Sequence, residues 1–220
     1  IIEKGIRQFA QWQQERLGVP RISFNLSMAS LADGGICDWL EETTLRHGIE
    51  TNDICIEILE SVILDDGADA IVKNITNLRE RGFQIELDDF GSGHASLNTL
   101  LSLEVDRIKI DRSLIKNVAR DPRARILIEA ITWLAGQLKI RVLCEGVEEE
   151  AQMEELQNLG RFAYQGFYFA KPMTSSSLEA WMRDHPWSSS QSRPVSPPNA
   201  PAGHDRNAWS ALPKHDISVG

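Results

Sequence analysis

Six stretches of this sequence place a polar or charged side chain where an apolar run ends. They are Asn25 in "ISFNLS", Glu57 and Glu60 in "DICIEILES", and Asp88 and Asp89 in "FQIELDDF". Lys109 and Asp111 follow in "RIKID", Glu145 and Glu148 in "RVLCEGVE", and Gln165 in "YQGFYFA". Amides, carboxylates and one lysine make up the set, with no His or Cys among them. Hard oxygen donors of this kind select Mg²⁺ or Mn²⁺ over zinc. Carboxylates gathered in this number repel one another and hold their protons unless cations sit among them. One or two divalent ions are therefore expected, with Asp88 serving both and Asp89 turning to the second as its strand gives way to a Gly-Ser-Gly loop.

Two such ions about 3.5–4 Å apart clamp a phosphodiester for in-line attack by water. Lys109 and Asp111, two apart on one strand, face the same side. A lysine there orients the attacking water and offsets developing negative charge. Glu145 is the candidate for a second-ion ligand or for the proton acceptor. Glu57 and Glu60, three apart, cannot share a strand face: Glu57 should face the metal, and Glu60 should hold the 91–96 loop. Taken singly, a strand-end carboxylate is ordinarily a helix cap or a solvated charge, and "GSG" is ordinarily a turn. The weight lies in the conjunction.

Something must bring these groups together. Apolar strand patterns at 22–27, 53–61, 83–90, 107–111, 141–148 and 164–170 alternate with helical periods at about 3–17, 36–47, 67–81, 95–102, 121–138 and 149–159. Strand and helix in alternation imply parallel pairing through helical crossovers. Units of about 31 residues, eight to a closed structure, describe a TIM-like (β/α) barrel, whose strand C-termini meet at one rim where active sites form. The expected fold class is thus α/β, a TIM-like barrel with about six of eight strands. The chain starts Ile1-Ile2-Glu3 without Met, and a helix precedes the first strand, so the expectation is an N-terminally truncated barrel whose opening one or two strands lie upstream.

At 220 residues and 42% hydrophobic, the chain can bury one core. Its net charge of −9 argues against a nucleic-acid polymer as partner. Cys37, Cys55 and Cys144 are odd in number and show no CxxC spacing, which suits buried free thiols in a reducing compartment. The longest mostly apolar stretch, 126–138, is too short to span a bilayer. Residues 1–184 are expected to form the barrel, and the Ser/Pro-rich residues 185–220 a disordered tail.

The motifs "NLS" (25–27), "EILES" (57–61), "DDFGSGHASL" (88–97), "KID" (109–111), "EGVE" (145–148) and "QGFYFAKP" (165–172), in this order, resemble the EAL family of cyclic di-GMP phosphodiesterases. The resemblance covers about residues 5–182. It implies a modified TIM barrel that uses Mg²⁺ or Mn²⁺ to hydrolyse cyclic di-GMP to linear pGpG. By position it implies Asn25, Glu57 and Asp88 as ligands of one ion and Asp88, Asp89 and Glu145 as ligands of a second. Lys109 would engage the water, Asp111 and Gln165 would line the substrate site, and Glu60 would anchor a loop at 91–96 that supports a homodimer. Family members commonly carry sensory or GGDEF-type domains upstream, and the domain is expected to be cytoplasmic even where its parent protein is membrane-anchored.

The sequence departs from the family pattern at several points. The Glu-Ala-Leu signature, whose Glu is a metal ligand, has no counterpart. Leu59 stands where Thr is usual, and Ser92, His94 and Ala95 stand where Thr, Tyr and Ser are usual. These departures keep an alternative open, a non-catalytic cyclic di-GMP receptor or protein-interaction module of EAL type, and imply weak or absent turnover by this chain.

Overall fold

The computed structural model describes residues 1–60, 69–92, 100 and 102–184. Six strands form one parallel sheet in sequence order: β1 (Ile22–Asn25), β2 (Ile54–Leu59), β3 (Gln84–Phe90), β4 (Arg107–Ile110), β5 (Arg141–Glu145) and β6 (Ala163–Gln165). The register sets Asn25 beside Glu57, Leu59 beside Asp88 and Glu145 beside Gln165. All the strand C-termini therefore lie along one rim. The architecture is TIM-like, with β1 and β6 each paired on one side among the described residues.

Alternation along the strands separates an apolar outer face from a polar inner one. Ile54, Ile56, Ile58, Ile85, Leu87, Ile108 and Ile110 are fully buried and join one hydrophobic core with residues of the covering helices, such as Ile75, Leu78 and Ile128. The intervening positions carry Cys55 and Glu57 on β2, Glu86 and Asp88 on β3, and Arg107 and Lys109 on β4. They form two stacked polar layers. In the lower one Arg107 Nη1 lies 2.8 Å from Glu86 Oε1, and Cys55 Sγ donates to the same oxygen at 3.4 Å. The upper one is the rim.

The helices are α1 (Ile2–Gln14), α2 (Met28–Leu31), α3 (Ile36–Arg46), α4 (Asp69–Glu80), α5 (Arg112–Ile115), α6 (Pro122–Leu138), α7 (Glu150–Leu159) and α8 (Ser175–Asp184). Local chemistry starts them. The Asp121 carboxylate caps α6 through Arg123 N, with Pro122 in the first turn. Glu149 and Gln152 make a reciprocal capping box at α7. The last helix is joined to the first: Trp12 Nε1 and Gln8 Nε2 both donate to Glu179 Oε1, at 2.8 and 3.2 Å.

Three expectations need correction. The strand at 141–148 ends at Glu145, because Gly146 takes φ +69 and turns the chain. The strand at 164–170 is only Ala163–Gln165, and Phe167, Tyr168 and Phe169 leave the sheet as exposed rings. The periods at 3–17, 36–47 and 67–81 run one to three residues past the helices they mark. The 95–102 helix falls almost wholly outside the described residues, and the tail from 185 entirely so. Among the described residues no helix is long and apolar enough to cross a membrane. All three cysteines are free and buried. Burial, and then the Glu86 carboxylate, pushes the Cys55 thiol up to about 12.

Candidate active site

Lys109 is the hub of the rim. Its Nζ lies 2.7 Å from Glu145 Oε1, 2.9 Å from Glu57 Oε2 and 3.2 Å from Asp88 Oδ1, so β2, β3, β4 and β5 each supply one member of the cluster. β1 adds a fifth, as Asn25 Nδ2 donates to Glu57 Oε2 at 3.1 Å. Lys109 and Glu57 are 2% and 3% exposed, whereas Asp88, Asp89 and Glu145 are half-buried and face the open side.

Adjacent residues on a regular strand point to opposite faces, yet Asp88 and Asp89 point the same way. The reason is a bulge. Leu87 pairs with Ile108 and Phe90 with Ile110, so three steps on β3 match two on β4. Asp89 takes φ +56, a left-handed conformation that aspartate tolerates better than most residues. Its own N–H donates to Asp88 Oδ1 at 2.9 Å. The outcome is a triad, with carboxylate oxygens of Asp88, Asp89 and Glu145 all within 4.8 Å of one another.

The electrostatics follow from the crowding. Burial raises the pKa of Asp89, and Asp88 and Asp111 raise it further. Burial likewise raises that of Glu145 against the pull of Lys109. Burial alone would lower the Lys109 pKa, but Glu57, Glu145 and Asp88 outweigh it and hold the ammonium above its ordinary range. Three carboxylates within 3.2 Å thus favour the protonated form of Lys109. Four carboxylates around one lysine leave a net charge of −3 before Asp111 is counted. A hard divalent cation fits that donor set.

The remaining site expectations divide. Gln165 is half-buried beside Glu145, with its Oε1 enclosed and without a hydrogen-bond partner among the described residues. Asp111 caps α5 by accepting from Ser113 N at 3.0 Å and stands close enough to Asp89 to raise its pKa. Glu60 is buried just past β2, while most of the loop it is expected to anchor lies outside the described residues. Glu148 does not join the cluster; it is exposed, and its N–H donates to Gln152 of α7. Two features escaped the sequence reading. One is the buried layer of Glu86 and Arg107, whose signal is the x-x spacing shared by "ELD" and "RIK". The other is Arg112, which lies close enough to Asp89 to lower its pKa and follows directly after Asp111.

Gly166 sets how closely β6 approaches β5. A Cβ there would sit 2.2 Å from Val147 O and 2.4 Å from Val147 N, and φ is +156. Gly166→Ala must displace backbone two residues from Glu145 and one from Gln165. It should cost about 1–3 kcal/mol, lowering the thermal midpoint by about 2–4 °C per kcal/mol for a chain of this size. A calorimetric melt within 1 °C of wild type would show that the approach is not tight.

Comparisons with known proteins bear on this arrangement. The family model described as "EAL domain" matches residues 1–172. The oxygen sensor protein DosP of Escherichia coli (strain K12) is 32% identical over 182 residues, 83% of this chain and 23% of DosP. The bifunctional diguanylate cyclase/cyclic di-GMP phosphodiesterase MucR of Pseudomonas aeruginosa is 34% identical over 180 residues, 82% of this chain and 26% of MucR. The chain thus spans about a quarter of the length of these relatives. The solved structure of the PaMucR phosphodiesterase in complex with c-di-GMP superposes with a TM-score of 0.73 at 35% identity, covering 80% of this chain and 71% of that one. A manganese/cyclic di-GMP complex of Klebsiella pneumoniae BlrP1 gives 0.70 at 26% identity, covering 76% and 42%.

Proposed function

The chain belongs to the EAL domain family, and we propose that the protein is a cyclic di-GMP phosphodiesterase, hydrolysing that second messenger to linear pGpG with Mg²⁺ or Mn²⁺ as cofactor. The observation that carries this reading is the carboxylate triad of Asp88, Asp89 and Glu145 around the Lys109 ammonium. Asn25, Glu57 and Asp88 would hold one ion, and Asp88, Asp89 and Glu145 a second. When bound, the ions supply Lewis acidity at the phosphodiester and neutralise the rim.

The side chains divide the remaining work. Lys109, locked by three carboxylates, presents a fixed positive charge where negative charge develops on phosphate oxygens. It also orients a water by donating an N–H hydrogen bond to it. Glu145, with its raised pKa and half-open position, is suited to accept that water's proton. Gln165 offers an enclosed carbonyl oxygen and Asp111 a rim carboxylate to the substrate. Glu60 positions the start of the 91–96 loop.

The test is a single titration series. Purified protein is incubated with cyclic di-GMP and Mg²⁺ or Mn²⁺, with and without excess EDTA, and nucleotides are separated by chromatography. Metal-dependent appearance of pGpG supports the reading; tight binding without turnover selects a receptor instead. One observation favours that second reading. Leu59, beside Asp88 in the ladder, is 45% exposed and puts an apolar side chain where the family pattern has a hydroxyl.

The protein is proposed to act as a homodimer joined near the 91–96 loop. Support comes from α6, whose Ile131 would touch a Cβ placed on Gly91, and whose Ile126, Leu127 and Trp133 are exposed. Trp133→Glu should convert dimer to monomer in light scattering, and a wild-type monomer at high concentration would refute the interface. MucR, which by its name joins a diguanylate cyclase to the phosphodiesterase, and the oxygen sensor DosP support a GGDEF-type or sensory domain upstream. Cytoplasmic placement is supported by the three free, buried thiols.

A further inference from the structure

At the opposite end of the strands a cavity of about 710 Å³ opens beneath the polar layers. Its walls come from the residues that precede or start β1, β3 and β5, from the segments before β2 and β4, and from the C-terminal ends of α4 and α6. They carry four cations, Arg21, Arg79, Lys139 and Arg141, against two carboxylates, Glu104 and Asp106. That balance of +2 stands out in a chain of net charge −9. We propose that this lower mouth of the sheet is a second binding site, one that takes a small phosphate-class oxyanion.

Three observations support it. The guanidinium of Arg141 is aimed and held, because Nη2 donates to Gln84 Oε1 at 2.7 Å and Nε to Asp106 O at 3.3 Å. Such a fixed planar fork matches a tetrahedral oxyanion better than a mobile lysine does. Like charges also converge here: burial lowers the pKa of Arg141, and then Arg107 and Arg21 lower it further, while Glu86 and Asp106 pull it back up. An anion at the open mouth would add to the compensation that Glu86 and Asp106 already provide. Finally, the volume lies within the range of about 300–1,000 Å³ typical of small-molecule sites. The rim cluster is opposite in sign and at the other end of the strands, so the two sites are distinct.

The experiment is calorimetric titration of the full chain with inorganic phosphate, and separately with glycerol 3-phosphate, in EDTA at constant ionic strength set by chloride. One saturable site is expected. Arg21→Gln and Lys139→Asn should each weaken it at least fivefold, whereas Lys109→Gln, which removes the rim's own cation, should leave it unchanged. Lys139 is exposed and left-handed (φ +60), a conformation asparagine accepts, so that variant stays folded. Equal affinity for the two probes identifies free phosphate as the ligand, and tighter binding of the ester identifies a phosphorylated metabolite. Absence of saturable binding, or binding lost in Lys109→Gln and retained in Arg21→Gln, overturns the proposal.

Discussion

Asp88→Asn should lower kcat for cyclic di-GMP by about 10³-fold, the scale of removing one preorganised group from a low-dielectric site, while the protein without metal melts no earlier than wild type. The two halves of this result have one cause. Asp88, like Glu145, belongs both to the carboxylate triad and to the Lys109 cage, and it alone is proposed to hold both ions, so its loss weakens any ion held there and loosens the lysine. In the absence of metal, however, the same carboxylate adds repulsion to a cluster of net charge −3, and removing one charge relieves it. Hydrolysis by chromatography and melting by calorimetry, each with and without Mg²⁺, should show activity falling, stability kept, and the rise in melting temperature on adding Mg²⁺ reduced. Glu145→Gln should behave alike, with a smaller loss if ligation is its only role. Normal turnover by either variant would remove the role assignments proposed above.

The second large effect lies one layer down. Arg107→Met should destabilise the fold by about 3–5 kcal/mol, the cost of leaving a buried charge without its partner. Glu86 and Arg107 are 0% and 3% exposed, so water cannot replace the lost ion pair. At roughly 2–4 °C per kcal/mol the midpoint should drop by about 10 °C. The double variant Glu86→Leu, Arg107→Met should recover most of that loss, since an apolar pair of similar volume is often as stable as a buried ion pair. Equal instability of the single and double variants would mean that the pair matters for shape rather than for charge compensation.

These residues also show what a sequence can and cannot disclose. The strand cores were legible because Ile54, Ile56 and Ile58, or Ile108 and Ile110, repeat with period two against a helical background. Their convergence at one rim followed from parallel topology alone. Strand ends were less legible: "YQGFYFA" reads as strand because aromatic residues favour sheets, but Gly166 turns the chain and the rings remain in solvent. Glu86 and Arg107 look like surface charges until β3 and β4 are laid side by side, because the spacing in "ELD" and "RIK" puts each on the rim's face of its strand but does not name its long-range partner. The helix at 175–184 was missed although Leu178 and Met182 have helical spacing, since the serines before it resemble the tail beyond it.

The extra residue in β3 bears on how this acidic rim is inherited. In an unbroken strand a base change could write a second aspartate after Asp88, but its side chain would be driven into the Ile and Leu packing behind the sheet. Only a change in backbone length lets consecutive codons supply oxygens to one spot. A mutant library that swaps side chains without inserting or deleting residues therefore cannot build this doublet on a flat scaffold, and a one-residue deletion between Leu87 and Phe90 would dismantle it while leaving every other donor in place.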